Sequence, residues 1–234
     1  MSWIDEQVDR VRVFGERPEA VERIAPGFFW PSIEDEHLAR YRWASRWVTG
    51  RVVLDVACGT GYGAKVLRAA GAREVLSFDV SPDALRFGLA RYGILAVRSD
   101  ALTMPLRAES CEAVVSLETI EHLENPLAFA KESWRILRPG GDLLLSTPNA
   151  SRSTGSNPYH LQEMTIDQLR AMFGEAGFRL AGIWGQHWGL GPGFWHRIKG
   201  VRGMLWRIEH MSAVTIWIRT GLKPLYWCVR AVRV

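Results

Sequence analysis

The strongest constraint on the fold is a short segment in which an apolar run ends in an acid and opens into glycines. Residues 52–63 read VVLDVACGTGYG, so Asp55 closes the run and Gly59 and Gly61 follow it closely. Glycines let backbone N–H groups approach a ligand at a sharp turn, because they carry no Cβ. The segment therefore predicts a strand, a ligand-binding loop and a helix in succession.

The spacing of this loop argues against two common nucleotide sites. A dinucleotide site needs the pattern G-x-G-x-x-G, but Ala57 occupies the first glycine position and the glycines that follow lie at 59, 61 and 63. A P-loop ends in Gly-Lys followed by Ser or Thr, whereas here Gly63 is followed by Ala64 and Lys65. We therefore expect neither NAD nor ATP in this loop.

Further apolar runs follow at regular intervals, with helical segments between them. The second run ends at Asp79, and Ser81 with Pro82 forms a good N-cap and first helical residue. Such alternation indicates a mostly parallel sheet that is covered on both faces and binds ligands at the carboxyl ends of its strands. The acids that fall at such ends are Asp55, Asp79, Asp100 and Glu118.

The glycine loop and the strand-end acids resemble motif I and its partners in the class I S-adenosylmethionine (SAM) methyltransferases. This resemblance implies a doubly wound, Rossmann-like α/β fold with a mostly parallel seven-stranded sheet and an antiparallel last strand. The residue pattern adds a helical insert before that last strand. It also implies that the loop contacts the methionyl part of SAM, Asp79 the ribose and Asp100 the adenine. The predicted cofactor residues are Asp55, Ala57, Gly59, Gly61, Asp79, Val80, Asp100, Ala101, Leu117 and Arg40.

A second group of reactive side chains follows the fourth apolar run. If this turn is helical, Glu118, Glu121 and His122 stand at i, i+3 and i+4 and face the same way. They could hold Mg²⁺ or Mn²⁺ through oxygen, or Zn²⁺ with the help of the histidine. Alternatively His122 acts alone as the general base, or the acids are merely exposed and the histidine is structural. The spacing favours the metal reading slightly, and the alternatives stay open.

The pattern E-x-x-E-H, with Arg138-Pro-Gly-Gly and Ser146-Thr-Pro-Asn after it, resembles two families of O-methyltransferases. One acts in ubiquinone biosynthesis, and the other methylates the terminal 2′-hydroxyl of small RNAs. In the RNA enzymes the two glutamates and the histidine hold a metal together with a later histidine, which makes His160 the candidate fourth ligand here. The catalytic candidates are His122 and Glu121, and the candidate metal ligands are Glu118, Glu121, His122 and His160.

Three other segments are similar to methyltransferases found with cell-surface glycan and sugar-biosynthesis enzymes. They begin at Glu22 (ERIAPG), Glu36 (EHLARY) and Asn157 (NPYHL), and the resemblance covers residues 22–178. It implies a small-molecule or glycan hydroxyl as the acceptor. Arg40 or Tyr41 is the candidate for reaching the carboxylate of SAM.

The carboxyl end differs in composition from the rest of the chain. From His187 onward there are eight Lys and Arg residues, one acid and five tryptophans. Ile198, Val201 and Leu205 recur at helical spacing, with basic residues on other faces. Such a helix can pack as a lid, contact substrate or lie peripherally at a membrane surface. Nucleic acid fits poorly, since we identify no stacking platform or recognition helix.

The cysteine count and the apolar runs bear on the compartment and the domain organisation. Three cysteines without a close pair indicate a reducing environment, and no run approaches the length of a membrane span. We therefore expect a cytoplasmic protein, with any membrane contact peripheral. The predicted organisation is a helical cap (1–50), a SAM-binding core (51–186), a basic insert (187–223) and the last strand of the core sheet (224–234).

These observations together predict a SAM-dependent O-methyltransferase that acts on a hydroxyl of a small molecule or glycan, with or without a divalent metal. Two alternatives remain. One is methylation of a lipid-linked or polyprenyl quinol substrate at the membrane surface, which would give the basic insert a role. The other is a module that binds SAM without turnover.

Overall fold

The structure is a computed structural model, and it describes residues 31–155, 157–186 and 224–234. The first thirty residues of the predicted cap and the whole basic insert lie outside these ranges. The elements are α1 (Pro31–Ala44), β1 (Val52–Val56), α2 (Tyr62–Ala69), β2 (Glu74–Asp79), α3 (Pro82–Tyr92), β3 (Leu95–Arg98), β4 (Cys111–Leu117), α4 (Pro126–Ile136), β5 (Leu137–Pro148), α5 (Ile166–Glu175), β6 (Phe178–Gln186) and β7 (Tyr226–Arg233). Short 3-10 helices occupy Ser45–Trp47 and Ile120–His122.

The strands form one seven-stranded sheet in the order β3-β2-β1-β4-β5-β7-β6. The pairs β1–β2, β2–β3 and β4–β5 are parallel, whereas β7 runs antiparallel to both β5 and β6. The predicted doubly wound α/β fold and its antiparallel last strand are therefore confirmed. Among the described residues, no helix has the length and apolar character that a membrane crossing requires.

The chain divides after Ala101 into two compact units, and the first contains β1, β2 and β3. Val53 and Leu54 of β1 are completely or almost completely buried, as expected of a strand covered on both faces. Helix α3 begins as the sequence predicts: Ser81 Oγ accepts a hydrogen bond from the Ala84 N–H at 3.3 Å, and Pro82 is the first helical residue. The acids Asp55 and Asp79 accordingly lie at or next to the ends of β1 and β2.

The second unit contains β4 to β7, and side chains cap two of its helices. Asn125 caps α4, and Thr165 forms a capping box with Gln168 at α5. Strand β7 is fixed at its end by Arg233. Its guanidinium lies 3.8 Å from the centroid of the Trp134 ring and donates to the Leu137 carbonyl oxygen. This anchoring ties the last strand to the start of β5.

Candidate active site

In the first unit, the loop that follows β1 is closed by its own backbone and by β2. The Cys58 N–H donates to the Phe78 carbonyl oxygen at 2.9 Å, and the Gly61 N–H donates to the Cys58 carbonyl oxygen at 3.0 Å. Gly61 has a φ of +77°, and a Cβ built there would lie 2.6 Å from Ile94 Cδ1. Position 61 therefore favours glycine for its backbone conformation, and a Cβ there would also require the Ile94 side chain to move.

Ala57 begins this turn in a conformation that favours glycine. Its φ is +55°, within the left-handed region that an L-residue enters only at a cost. This is the position at which a dinucleotide fingerprint carries its first glycine. The chain therefore keeps the backbone of a glycine turn without the glycine, and Ala57 stores strain at the loop.

Asp79, the last residue of β2 and the residue predicted to contact the ribose, also holds the loop. One carboxylate oxygen, Oδ2, accepts a hydrogen bond from the Gly59 N–H at 2.8 Å, and Oδ1 accepts one from the Ser81 N–H at 2.8 Å. The same side chain thus connects the glycine loop to the start of α3. Sequence reasoning assigned it a ligand role but missed this connection, because no spacing rule pairs residues 59 and 79.

Asp55 lies in β1 and is almost completely buried, at 1% exposure. Its Oδ1 accepts a hydrogen bond from the Tyr41 hydroxyl at 3.0 Å. Burial raises the pKa of Asp55 to about 7, although the hydrogen bond from Tyr41 lowers it and the nearby charge of Asp79 raises it. The carboxylate is therefore held near its titration point at neutral pH.

The remaining predicted cofactor residues of this unit lie at three places. Arg40 is buried on α1, one residue before Tyr41. Val80 follows β2 and is exposed. Asp100 is exposed shortly after β3, and Ala101 next to it is buried. Their contacts with SAM stay predictions.

In the second unit, the turn after β4 differs from the expected helical face. Glu118, directly after the half-buried Leu117, has a φ of +53° and so lies outside any helix. Only Ile120–His122 form a short 3-10 helix. The expectation that Glu118, Glu121 and His122 share one helical face is therefore wrong. The Glu118 carboxylate instead accepts a hydrogen bond from Ser146 Oγ at 2.7 Å.

Three of the four predicted metal ligands nevertheless come together. Glu121, His122 and His160 each offer one ligand atom, and these atoms lie within 4.8 Å of one another. Glu118 is not a member of this group. Glu121 is completely buried, and its Oε2 accepts a hydrogen bond from Thr147 Oγ1 at 3.0 Å. The structure thus supplies a group of two imidazoles and one carboxylate, which we call the His–Glu cluster.

Both histidines of the His–Glu cluster are oriented by oxygen atoms at Nδ1. His122 Nδ1 lies 3.0 Å from the Tyr159 carbonyl oxygen, and His160 Nδ1 lies 2.6 Å from Glu163 Oε1. His160 Nε2 lies 2.9 Å from the Asn157 amide nitrogen. None of these orienting contacts was predicted. Asn157 and Tyr159 lie in the NPYHL segment, but only the folded loop shows that they contact the histidines.

Backbone bonds hold that loop against the 3-10 helix. The Glu121 carbonyl oxygen accepts hydrogen bonds from the N–H groups of Leu161 and Gln162, at 2.7 and 3.1 Å. The two histidine rings meet edge to face, with their centroids 5.0 Å apart. Residues 157–163 are therefore part of the site.

Comparison with known proteins shows the family to which this chain belongs. Residues 54–145 match the family described as a methyltransferase domain. The chain is 34% identical to a probable S-adenosylmethionine-dependent methyltransferase of Mycolicibacterium smegmatis, over 74% of this chain and 70% of the relative. The chain therefore belongs to the S-adenosylmethionine-dependent methyltransferases, and SAM is its cofactor.

Two further relatives match over a smaller share of their length. The chain is 29% identical to the phthiotriol/phenolphthiotriol dimycocerosates methyltransferase of Mycobacterium leprae, over 52% of this chain. It is 32% identical to the ubiquinone biosynthesis O-methyltransferase of Xanthomonas campestris, over 43%. It spans only 47% and 44% of these two relatives.

A solved SAM-dependent methyltransferase from Archaeoglobus fulgidus has the same fold. Its TM-score is 0.64 at 18% identity, with 85% of this chain and 94% of that chain covered. At this identity the likeness concerns the fold alone.

Proposed function

We propose that the protein transfers the methyl group of SAM to a hydroxyl oxygen of a small molecule or glycan, with His122 as the general base. The observation that carries this proposal is the contact of His122 Nδ1 with the Tyr159 carbonyl oxygen at 3.0 Å. A carbonyl oxygen only accepts, so Nδ1 carries the proton of the neutral ring and Nε2 carries the lone pair. His122 is thereby set to accept a proton at Nε2.

The proposed reaction balances with this single proton transfer. Nε2 of His122 takes the proton of the acceptor hydroxyl while the oxygen forms a bond to the methyl carbon of SAM. The carbon–sulfur bond breaks, its electron pair stays on sulfur, and the products are S-adenosylhomocysteine and a methyl ether. The carbonyl of Tyr159 keeps the resulting imidazolium in place through its hydrogen bond to Nδ1.

The His–Glu cluster also has the chemistry of a divalent-metal site. Ligating histidines generally donate their second ring N–H to a carboxylate or a backbone carbonyl, and both His122 and His160 have such a partner. Two imidazoles and one carboxylate suit Zn²⁺ or Mn²⁺ better than Mg²⁺. A bound ion would lower the pKa of the acceptor hydroxyl and fix its direction. The metal is an alternative to the metal-free base, because the single lone pair at Nε2 of His122 either binds an ion or accepts a proton. We propose Glu121, His122 and His160 as its ligands, without Glu118, and the Asn157 amide would have to release Nε2 of His160.

For the cofactor, we propose that the predicted residues of the first unit form the binding surface. The glycine loop offers backbone N–H groups to the methionyl part, and Asp79 accepts hydrogen bonds from the ribose. This role is compatible with the contacts of Asp79 to Gly59 and Ser81, since each carboxylate oxygen accepts more than one hydrogen bond. Asp100 and Val80 are proposed for the adenine end, and Arg40 for the carboxylate.

A second candidate acceptor is a lipid-linked or quinol hydroxyl. It is supported by the names of two relatives, the phthiotriol/phenolphthiotriol dimycocerosates methyltransferase and the ubiquinone biosynthesis O-methyltransferase. The same base serves this acceptor, so the chemistry of the site does not separate the two. The acceptor must be identified by assay.

The decisive assay measures S-adenosylhomocysteine formed from SAM by the full-length protein. One arm supplies nucleotide sugars and oligosaccharides, and the other supplies a catechol and a polyprenyl phenol in detergent. Product that forms only with the sugar arm supports the first candidate, and product that forms only with the phenol arm supports the second. SAM binding without product on any acceptor would support a module without turnover and would overturn both.

The metal proposal has a test that does not depend on activity. We expect Zn²⁺ or Mn²⁺, added to chelator-treated protein, to raise the melting temperature in the wild type and in Glu118→Gln. The His160→Ala variant should lose this increase, because it lacks one ligand. Equal stabilisation of His160→Ala and wild type would reject the His–Glu cluster as the metal site while leaving His122 as a metal-free base.

A further inference from the structure

Tyr41, on α1, is packed directly onto the first turn of α2. A Cβ built on Gly63 would lie 2.0 Å from the Cζ atom of Tyr41, so position 63 has room for this ring only as glycine. The Tyr62 ring meets Tyr41 edge to face, with centroids 5.3 Å apart. Tyr41 itself is 5% exposed. A side chain from outside the SAM-binding motif is thus built into the glycine loop.

The Tyr41 hydroxyl forms a hydrogen bond with only one of the two carboxylate oxygens of Asp55. It donates to Oδ1 at 3.0 Å, while Asp55 Oδ2 has no hydrogen-bond partner among the residues that the structure describes. A buried carboxylate oxygen without a donor is costly, so such a group is generally completed by a ligand or neutralised. Of the charged groups on the methionyl part of SAM, only the α-ammonium can donate to this oxygen.

We propose that Tyr41 is a positioning residue for the cofactor, whose hydroxyl holds the Asp55 carboxylate so that Oδ2 accepts a hydrogen bond from the ammonium group of SAM. This proposal rests on the proposed binding of SAM at the glycine loop. It explains why the loop has glycine at position 63 and why a phenol, rather than an aliphatic side chain, lies against it. Tyr41 acts through Asp55 and need not touch SAM itself.

The surroundings of Asp55 make its ionisation depend on Tyr41. The titratable groups that face it are Tyr41 from α1, Cys58 in the loop and Asp79 from β2, with Tyr62 behind Tyr41. Burial and the charge of Asp79 raise the pKa of Asp55, and the hydrogen bond from Tyr41 lowers it. Removal of the hydroxyl should therefore raise this pKa further. SAM would then reach its full affinity only at a higher pH.

The test measures SAM affinity by calorimetry between about pH 5.5 and 8 for wild type, Tyr41→Phe and the matched control Tyr92→Phe on α3. We expect the wild-type affinity to increase through pH 7. For Tyr41→Phe we expect about tenfold weaker binding at pH 7 and a midpoint about one pH unit higher. The Tyr92 control should follow the wild type. A loss that is equal at every pH, or no loss, would overturn the positioning role.

A second variant keeps the result interpretable if Tyr41→Phe folds poorly. Asp55→Asn retains an oxygen that accepts from Tyr41 but cannot ionise, so its SAM affinity should be weak and independent of pH over this range. Adding Tyr41→Phe to Asp55→Asn should then cause less than a twofold further loss, because the two residues act as one unit. Independent losses would contradict the proposal. Failure of the wild type to bind SAM at all would overturn the proposed function as well.

Discussion

The glycine loop after β1 and the turn after β4 begin in the same way and are stabilised differently. Each follows a strand and starts with a residue other than glycine in the left-handed region, Ala57 with a φ of +55° and Glu118 with a φ of +53°. The loop is completed by backbone N–H groups, as in the bond from Gly59 to Asp79. The turn is completed by side chains, as in the contact of His122 with the Tyr159 carbonyl. Similar backbone geometry therefore serves two kinds of site.

The difference lies in what each region needs from the rest of the chain. The loop needs space, positive φ angles and an acid at the end of the next strand, and the local sequence indicates all three. The turn needs an orienting group for each histidine, and these groups come from residues 157–163. Ligand binding by backbone tolerates variation in side chains, whereas proton transfer requires one ring held in one orientation.

The largest expected effect comes from a substitution in the turn that leaves the loop unchanged. We expect His122→Ala to lower kcat by about 10²–10⁴-fold, because the general base is lost. SAM affinity should change by less than about twofold, since the glycine loop is untouched. Single-turnover kinetics on an identified acceptor and calorimetry with SAM measure the two quantities. Parallel losses in both would show that the turn also serves cofactor binding.

Glu118→Gln is the matched control for that experiment. Its side chain can still accept the hydrogen bond from Ser146 Oγ, and it lies outside the His–Glu cluster. We expect kcat to stay within about fivefold of the wild type, because no proton acceptor is lost. A loss as large as that of His122→Ala would return Glu118 to the candidate metal ligands.

The second expected effect concerns the loop and links stability to pH. The pKa of Asp55 in the folded protein is raised to about 7 from its ordinary 3.8. The folded state therefore binds more protons than the unfolded state between these values, and the stability that Asp55 provides when protonated is lost as pH rises through 7. Asp55→Asn should be more stable than the wild type by up to about 4 kcal/mol at alkaline pH.

Urea unfolding at several pH values measures this difference. It should shrink as the pH falls and vanish near the ordinary pKa of the carboxyl group. SAM binding should weaken in the same variant, so that stability and ligand affinity move in opposite directions. A difference that does not depend on pH would mean that Asp55 is not the titrating group. Burial of an ionised Asp55 would then not destabilise the loop, and this contrast with the turn would be lost.

The third expected effect tests the dual role of Asp79. Asp79→Ala should weaken SAM binding by roughly 2–3 kcal/mol, the cost of charge-assisted hydrogen bonds left unmade. Because the carboxylate also accepts from Gly59, the loop should exchange its amide hydrogens faster even without SAM. The control Asp83→Ala removes an exposed acid paired with Arg86 and should do neither. Unchanged SAM affinity in Asp79→Ala would remove the ribose assignment.

The loop and the turn also differ in how well their structures could be predicted from the sequence. The fold could be predicted, since apolar runs marked strands such as β1, β2 and β4, and Ser81 with Pro82 marked the start of α3. The turn from β1 into α2 could be predicted because it depends on glycine spacing in the local sequence. The helical face suggested for Glu118 is wrong, because its left-handed φ breaks the helical periodicity that the sequence pattern assumes.

The partners of the reactive residues were also beyond the sequence. Tyr41 and Gly63 lie on different helices, and only the folded structure shows that one fills the space left by the other. Glu163 orients His160 from three residues further along the same loop. Spacing alone does not indicate this contact, because an acid at that position can have several equally plausible roles. Motifs mark the groups that do the chemistry, whereas the groups that orient them depend on tertiary contacts.

The smallest expected effect compares the two strained residues directly. Ala57→Gly relieves a left-handed backbone and removes only a methyl group, so it should stabilise the protein by about 0.5–1 kcal/mol. Glu118→Gly relieves the same strain but loses the hydrogen bond from Ser146 Oγ, which is worth about 1.5–3 kcal/mol when the acceptor is charged. It should therefore be neutral or destabilising, as measured by urea unfolding. Gains of the same size at both positions would mean that backbone strain alone sets their stability and that the side chain of Glu118 contributes nothing.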